Sequence, residues 1–281
     1  MDIYLAKESA FHHIPQVTIE VALDRLEQKK AQLVSGTLGA LFSRVKPDDI
    51  QLVSIENRLE AYWQISVHLH TVYERNKTYS IPLSGAEIDH VALLGQDLPV
   101  TSGPKGGTCL SLNGVEHCVE DARHNFTFDG AGVEMDMSKY NSFPKTEVID
   151  FENFAPEGVL VIPPKALAST VVRSILSKVI KPVDAQVIHE ERIDIEKLEI
   201  NFRPVYAMEY HWAAKNKKVV LEYDALTGEY DSHGEKMGGQ VKGILTPDLI
   251  FDLSTVAAGA LVPGGSTVVK LAKAVYDHTK K

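Results

Sequence analysis

The chain has 281 residues, 44% of them apolar and 24% charged, with a formal net charge of −9 at neutral pH. That length allows two ordinary domains or one large one, and the composition suits a soluble folded protein with a real core. The acidic balance argues against general nucleic-acid binding, and two cysteines are too few for a disulfide framework.

The N-terminal stretch MDIYLAKESAFHHIP has no basic region leading into an apolar run, so it does not read as a signal peptide. The most apolar late segment, Val256–Val269, is too short for a membrane span and is broken by Pro263, Gly264 and Gly265. A cytoplasmic location without a membrane span is the expectation.

Taken in order, the first element is a helix from about Thr18 to Val34. Ile19, Leu23, Leu26 and Leu33 recur at helical spacing, with charged residues between them. A short helical piece over 38–45 follows. From Ile50 the period changes to two: Trp63, Ile65, Val67 and Leu69 alternate with Gln64, Ser66, His68 and His70. The spacing predicts a turn at Glu74–Thr78, a returning strand, and a further strand at EIDHVALLG.

The second half repeats the plan. Pro163 and Pro164 open an amphipathic helix whose stripe is Leu167, Val171, Ile175, Leu176 and Val179, closing before Pro182. This helix is basic, and core packing on a sheet is its default reading over a membrane surface. Strands follow, then a hairpin turning near Asn216-Lys217, with Tyr206, Met208, Tyr210 and Trp212 on one face of its first strand. The last segment reads as helices on both sides of VPGG, the final one capped by Ser266.

The expected fold is therefore α+β. Two units of one helix plus an antiparallel meander (1–99 and 158–245) flank a β-rich insertion or linker subdomain (100–157), and C-terminal helices (246–281) end the chain. The run Tyr223-Asp224-Ala225-Leu226-Thr227-Gly228-Glu229, closing the second hairpin, resembles the ending of PepSY-type and related cystatin-like bacterial domains. The resemblance covers residues 164–230, about a quarter of the chain, and implies a helix-plus-sheet fold with a binding or inhibitory role and no catalysis. Independently, an Asp that bonds the backbone ahead and a Gly at positive φ make this a turn after a strand.

Both cysteines lie in CLSLNGVEHC. Asn113-Gly114 is a strong type I′ hairpin signal, and a two-residue loop there sets Cys109 opposite Cys118. A metal clip, a disulfide, a reactive pair and two quiet thiols all remain open, although a reducing cytosol disfavours the disulfide. A metal would need further ligands. His124 is one candidate, and His68 and His70, two apart on a strand, are others, with no HExxH-type motif beside them. No phosphate loop and no nucleophile elbow has the required spacing.

The functional expectation is a non-catalytic binding, regulatory or assembly protein. It would work through sheet faces or edges, with no cofactor, and its partner would be another protein or a second copy. The strand residues Tyr206, Tyr210 and Trp212 are a candidate partner-binding face. The alternative is an enzyme or metalloprotein whose site assembles from His68, His70, Cys109, Cys118 and nearby carboxylates.

Overall fold

The structure is a computed structural model that describes residues 1–34, 46–103, 106–231, 246–253, 256 and 270–273. Three very long strands dominate it. β3 runs from Ile50 to Pro82, β6 from Thr108 to Asp129 and β9 from Val187 to Trp212. The shorter strands are β1 (Asp2–Leu5), β2 (Glu8–His13), β4 (His90–Leu93), β5 (Gln96–Ser102) and β7 (Lys145–Glu147). The remaining ones are β8 (Val159–Ile162), β10 (Lys217–Asp224), β11 (Tyr230–Asp231) and β12 (Lys270–Lys273). All twelve belong to one mixed sheet with the central order β11-β10-β9-β3-β6-β5-β4. β1 and β2 run parallel along the far edge of β9, β8 runs parallel to β3, and β12 runs parallel to β1.

This overturns the expected pair of cystatin-like helix-plus-meander units. Each of the four segments expected as separate parts contributes strands to the same sheet. The physical reason is pairing length. β3 pairs antiparallel with β6 from Tyr62↔Asp129 to Pro82↔Cys109 without a break, and with β9 from Ile50↔Trp212 to Glu74↔Val187 through three bulges. Turns expected at Glu74–Thr78 and Asn113-Gly114 would interrupt the β3–β6 ladder. The helical C-terminus is corrected likewise: Lys270–Lys273, inside the expected final helix, is a strand. Ser266 and the expected helix over 38–45 lie outside the described residues.

Two helices and the short helical run 30–34 cover one face of the sheet. α1 (Ile19–Glu27) buries Ala22 and Leu26 against Tyr206, Met208, Tyr210, Leu221 and Tyr223. α2 (Ala168–Val179) buries Val171, Val172, Ile175 and Leu176 against Trp63, Ile65 and Val67 of β3 and Ile193 to Phe202 of β9. The Trp63 indole N–H donates to the Ala166 carbonyl at 3.0 Å, pinning the start of α2 to the sheet. A third helix, α3 (Pro247–Ile250), is a single turn. No helix among the described residues is long and apolar enough to cross a membrane.

Candidate functional site

β9 begins at Val187, opposite Glu74, but β3 continues to Pro82. Over that last stretch β3 pairs with β6 on one side only; among the described residues no strand pairs with its other edge. The result is a ribbon reaching about 26 Å beyond the end of β9, at ~3.3 Å per residue. Asn76 to Pro82 are all exposed.

The hydrogen-bonding parity of this edge is fixed. The Leu83 N–H donates to the Thr108 carbonyl at 2.9 Å, so the odd-numbered residues of the ribbon direct their backbone groups at β6. The even-numbered ones point outward. At the root this outward row is engaged by Gln186, whose N–H donates to the Glu74 carbonyl (2.8 Å) and whose side-chain oxygen accepts from the Asn76 N–H (2.5 Å). Past that point the N–H groups of Thr78 and Ser80 and the carbonyls of Asn76, Thr78, Ser80 and Pro82 face away from β6.

Side chains divide the ribbon into two faces. Arg75, Lys77, Tyr79 and Ile81 share one with Leu110, Leu112 and Glu116; Asn76, Thr78 and Ser80 share the other with Ser111 and Asn113. Arg75 (2.5 Å) and the Tyr79 hydroxyl (2.6 Å) both donate to Glu116, and these bonds hold its carboxyl below the ordinary glutamate range. Thr78 Oγ1 donates to Asn113 Oδ1 at 2.8 Å. The Tyr79 ring lies over Gly114, where a Cβ would stand 3.4 Å from it. Asn113-Gly114 is thus absorbed into a continuous strand. The tight turn with two positive φ angles occurs instead at Leu94 (φ 52°) and Gly95 (φ 76°), joining β4 to β5.

The structure separates the metal-site candidates. Cys109 and Cys118 are free and nine positions apart on one extended strand, ~30 Å by the rise per residue, and the odd separation places them on opposite faces. A disulfide between them within one chain is excluded. Cys109 is buried, and the hydroxyls of Ser80 and Thr101 hold its thiol below the ordinary range. Cys118 lies opposite Tyr73 and His124 opposite Val67, both on the face that α2 covers further down. His68 and His70 are on the reverse face, bridged by Asp121 at 3.0 and 3.1 Å. Their hydrogen bonds, that from His70 foremost, keep the Asp121 carboxyl low. No group of three or more His, Cys, Asp or Glu side chains among the described residues is arranged to hold a metal ion.

Tyr206, Tyr210 and Trp212 do share one face of β9, but α1 and β10 bury them, and Tyr206 spends its hydroxyl on the Val17 carbonyl at 2.8 Å. They form core, not an open surface.

A second feature is a cleft of about 820 Å³ on the sheet face opposite the helices. On its wall Arg203 donates to Glu60 (2.9 Å), Asp224 (2.8 Å) and the Tyr140 hydroxyl (3.0 Å), and Tyr140 in turn donates to Asp224. The other oxygen of Asp224 accepts from the N–H groups of Leu226 and Thr227, with Gly228 at φ 75° closing the turn. Burial would raise the Asp224 carboxyl, but Tyr140, Arg203 and the two N–H groups outweigh it and keep it below the usual aspartate range. Burial raises the Tyr140 hydroxyl. With every member of this network engaged by another, it acts as a fastening between β3, β9, β10 and the covering segment 137–143.

The chain matches no family model, no curated protein and no solved structure.

Sequence reading missed both features. Asp224 is legible as a turn residue, but its side-chain partners lie 84 positions away in Tyr140 and 21 away in Arg203, where no local pattern points to it. The open edge had a signal that was read as a turn: ERNKTYSIP keeps period-two alternation through Tyr79 and Ile81.

Proposed function

We propose that this is a non-catalytic binding or assembly protein that takes up an extended strand along the open edge of β3. The observation that carries this reading is the outward row of backbone groups at Asn76, Thr78, Ser80 and Pro82, solvent-exposed and unpaired by any described strand. Strand addition to such an edge gains affinity from main-chain hydrogen bonds and selectivity from alternate side chains. Here the incoming strand would meet Arg75, Lys77, Tyr79 and Ile81 on one face and small polar groups on the other. The alternative of a metal or catalytic site in the central segment is less well supported, because Cys109 and Cys118 stand ~30 Å apart on opposite faces, while His68 and His70 meet at Asp121 on the face opposite Cys118.

The test is fluorescence anisotropy with a panel of labelled eight-residue strand-forming peptides of alternating side chains. Ser80→Pro deletes an outward N–H and leaves the β6 ladder intact, since that N–H does not point at β6. The expected result is peptide binding by the unmodified protein that weakens at least tenfold in Ser80→Pro. Binding indifferent to Ser80→Pro, or none across the panel, would overturn the edge as the site.

A further inference from the structure

We infer that segment 137–147 is an acid-released strap: a proton taken up by His13, buried beneath it, loosens the segment from the sheet and opens the cleft whose wall it forms. Met137, Lys139 and Tyr140 of this segment line the cleft of about 820 Å³ described above. Three observations converge on His13 as the latch.

The first is burial without a counter-charge. His13 is 2% exposed. Its Nε2 shares a 2.7 Å hydrogen bond with the Tyr62 hydroxyl, and its Nδ1 has no hydrogen-bond partner. Neither nitrogen meets a carboxylate among the described residues. An imidazolium held there would be a buried charge with no ion to pair with, which the closed fold resists.

The second is what stands around the ring. β2 and β7 pair antiparallel with His13 directly opposite Lys145, whose ammonium is fixed at 2.8 Å on Glu199 and 3.0 Å on Asn201. Like charges set directly opposite on one face repel. Tyr62 of β3 and Tyr140 of the strap flank the ring, with centroids 6.0 and 6.3 Å from it. The neighbouring His12 turns to the other face, against Phe154. Asp224 acts on the ring only from a distance, being already engaged by Arg203 and Tyr140. Burial foremost therefore holds the imidazole below the ordinary histidine range. Lys145 and His12 add to this, while the Pro144 carbonyl and Asp224 oppose it in part.

The third is how little apolar surface holds the strap. Its anchor is a satellite cluster of Tyr62, Met137, Tyr140 and Leu226 with Phe143 beside it, apart from the main core under α2. Its other ties are polar. Among them, Asn141 Oδ1 accepts from Gln64 at 2.6 Å, and the Pro144 carbonyl accepts from the Ile14 N–H at 3.2 Å. A segment with few buried apolar contacts opens locally while the rest of a fold stays closed. Opening uncovers His13 and Tyr62 together, and the ring then takes the proton that it refuses when covered.

The direction of the pH effect follows. The covered ring is held below its free value of about 6.5, so closure is favoured above that pH. It weakens as the pH falls from there towards the lower covered value. One proton is linked, so the open fraction should rise by up to about tenfold per pH unit in that window.

Hydrogen exchange read by mass spectrometry between about pH 5 and 7.5, corrected for the intrinsic exchange rate, tests the strap. Peptides from 137–147 should lose protection by up to about tenfold per unit below about pH 6.5, while peptides from the buried part of β9 keep theirs. His13→Gln, which can still bond the Tyr62 hydroxyl but cannot take a proton, should flatten the dependence. His12→Gln should leave it intact. In the unmodified protein, the His13 imidazole followed by NMR should gain its proton over the same range in which the strap opens, a readout that needs no variant to fold.

Protection of 137–147 that ignores pH overturns the inference, as does a dependence that survives His13→Gln or vanishes in His12→Gln. An imidazole that titrates with no change in protection overturns it too. If β9 loses protection in step with 137–147, the whole fold is opening and the strap is no separate device.

Discussion

At Trp63, β3 has β9 on one edge, β6 on the other, α2 on one face and the covering segment 137–143 near the opposite face. At Tyr79, further along the same strand, β6 is the one strand among the described residues that pairs with it. The base spends its alternation on burial, with Trp63, Ile65 and Val67 nearly inaccessible, whereas Tyr79 and Ile81 continue the same alternation into solvent. A period of two tells which side chains share a face. Whether anything packs on that face is set by elements far off in sequence.

The contrast can be broken most forcefully at the base. Trp63→Ala should cost about 3–5 kcal/mol by leaving a cavity under α2 and freeing the Ala166 carbonyl. Tyr79→Ala, measured by denaturant melting at low protein concentration, should change stability by less than about 0.5 kcal/mol. Equal losses would mean that the ribbon is packed after all. Next in size, Arg203→Met strands Asp224 and Glu60 without their guanidinium and should destabilise by about 3 kcal/mol. It should leave peptide binding at the β3 edge untouched, since the network belongs to the base.

Acidity sharpens the same division. The Asp224 carboxyl is held low in the fold, so its stabilisation is present above its unfolded value, roughly pH 4, and is lost as the pH falls through the lower folded value. Asp224→Asn should flatten this acid limb in a pH series of thermal melts. Glu116, also held low but at the exposed ribbon, should leave the limb nearly unchanged when made Gln. The smallest expected effect carries a sign. Gly114→Ala should be neutral or slightly stabilising, because its φ is not positive and the new methyl meets the Tyr79 ring at ordinary contact distance. Were Asn113-Gly114 a type I′ turn, the same change would cost about 1–2 kcal/mol.

The sequence was legible where local chemistry and global packing agree. The stripe of α2, the hairpin at Asn216 with φ 44°, the shared face of Tyr206 to Trp212 and the Asp224–Gly228 turn all follow from residues within a few positions of each other. It misled where a strong local signal met a stronger distant one. Asn113-Gly114 favours reversal, yet Thr78 and Lys77 are already extended opposite it, and two strands of more than twenty residues hold the pair straight. Leu94-Gly95 lacks the Asn that marks such turns and reverses nonetheless. The candidate site is an edge, a property of what is missing beside a strand, and one-dimensional spacing carries no record of neighbours.

The late arrival of β9 also bears on how the chain is made. Roughly a hundred residues separate Pro82 from Val187, so β3 and then β6 emerge from the ribosome well before their main partner exists. At about 5–20 residues per second, β3 waits for some 5–20 s with its whole β9-side edge available. During synthesis every nascent chain carries a longer version of the surface that the finished protein keeps open only from Asn76 to Pro82. Neighbouring chains on one messenger are then the most concentrated strangers that edge will meet, and Lys77, Arg75 and Pro82 stand at the part of it that closes last, if it closes at all.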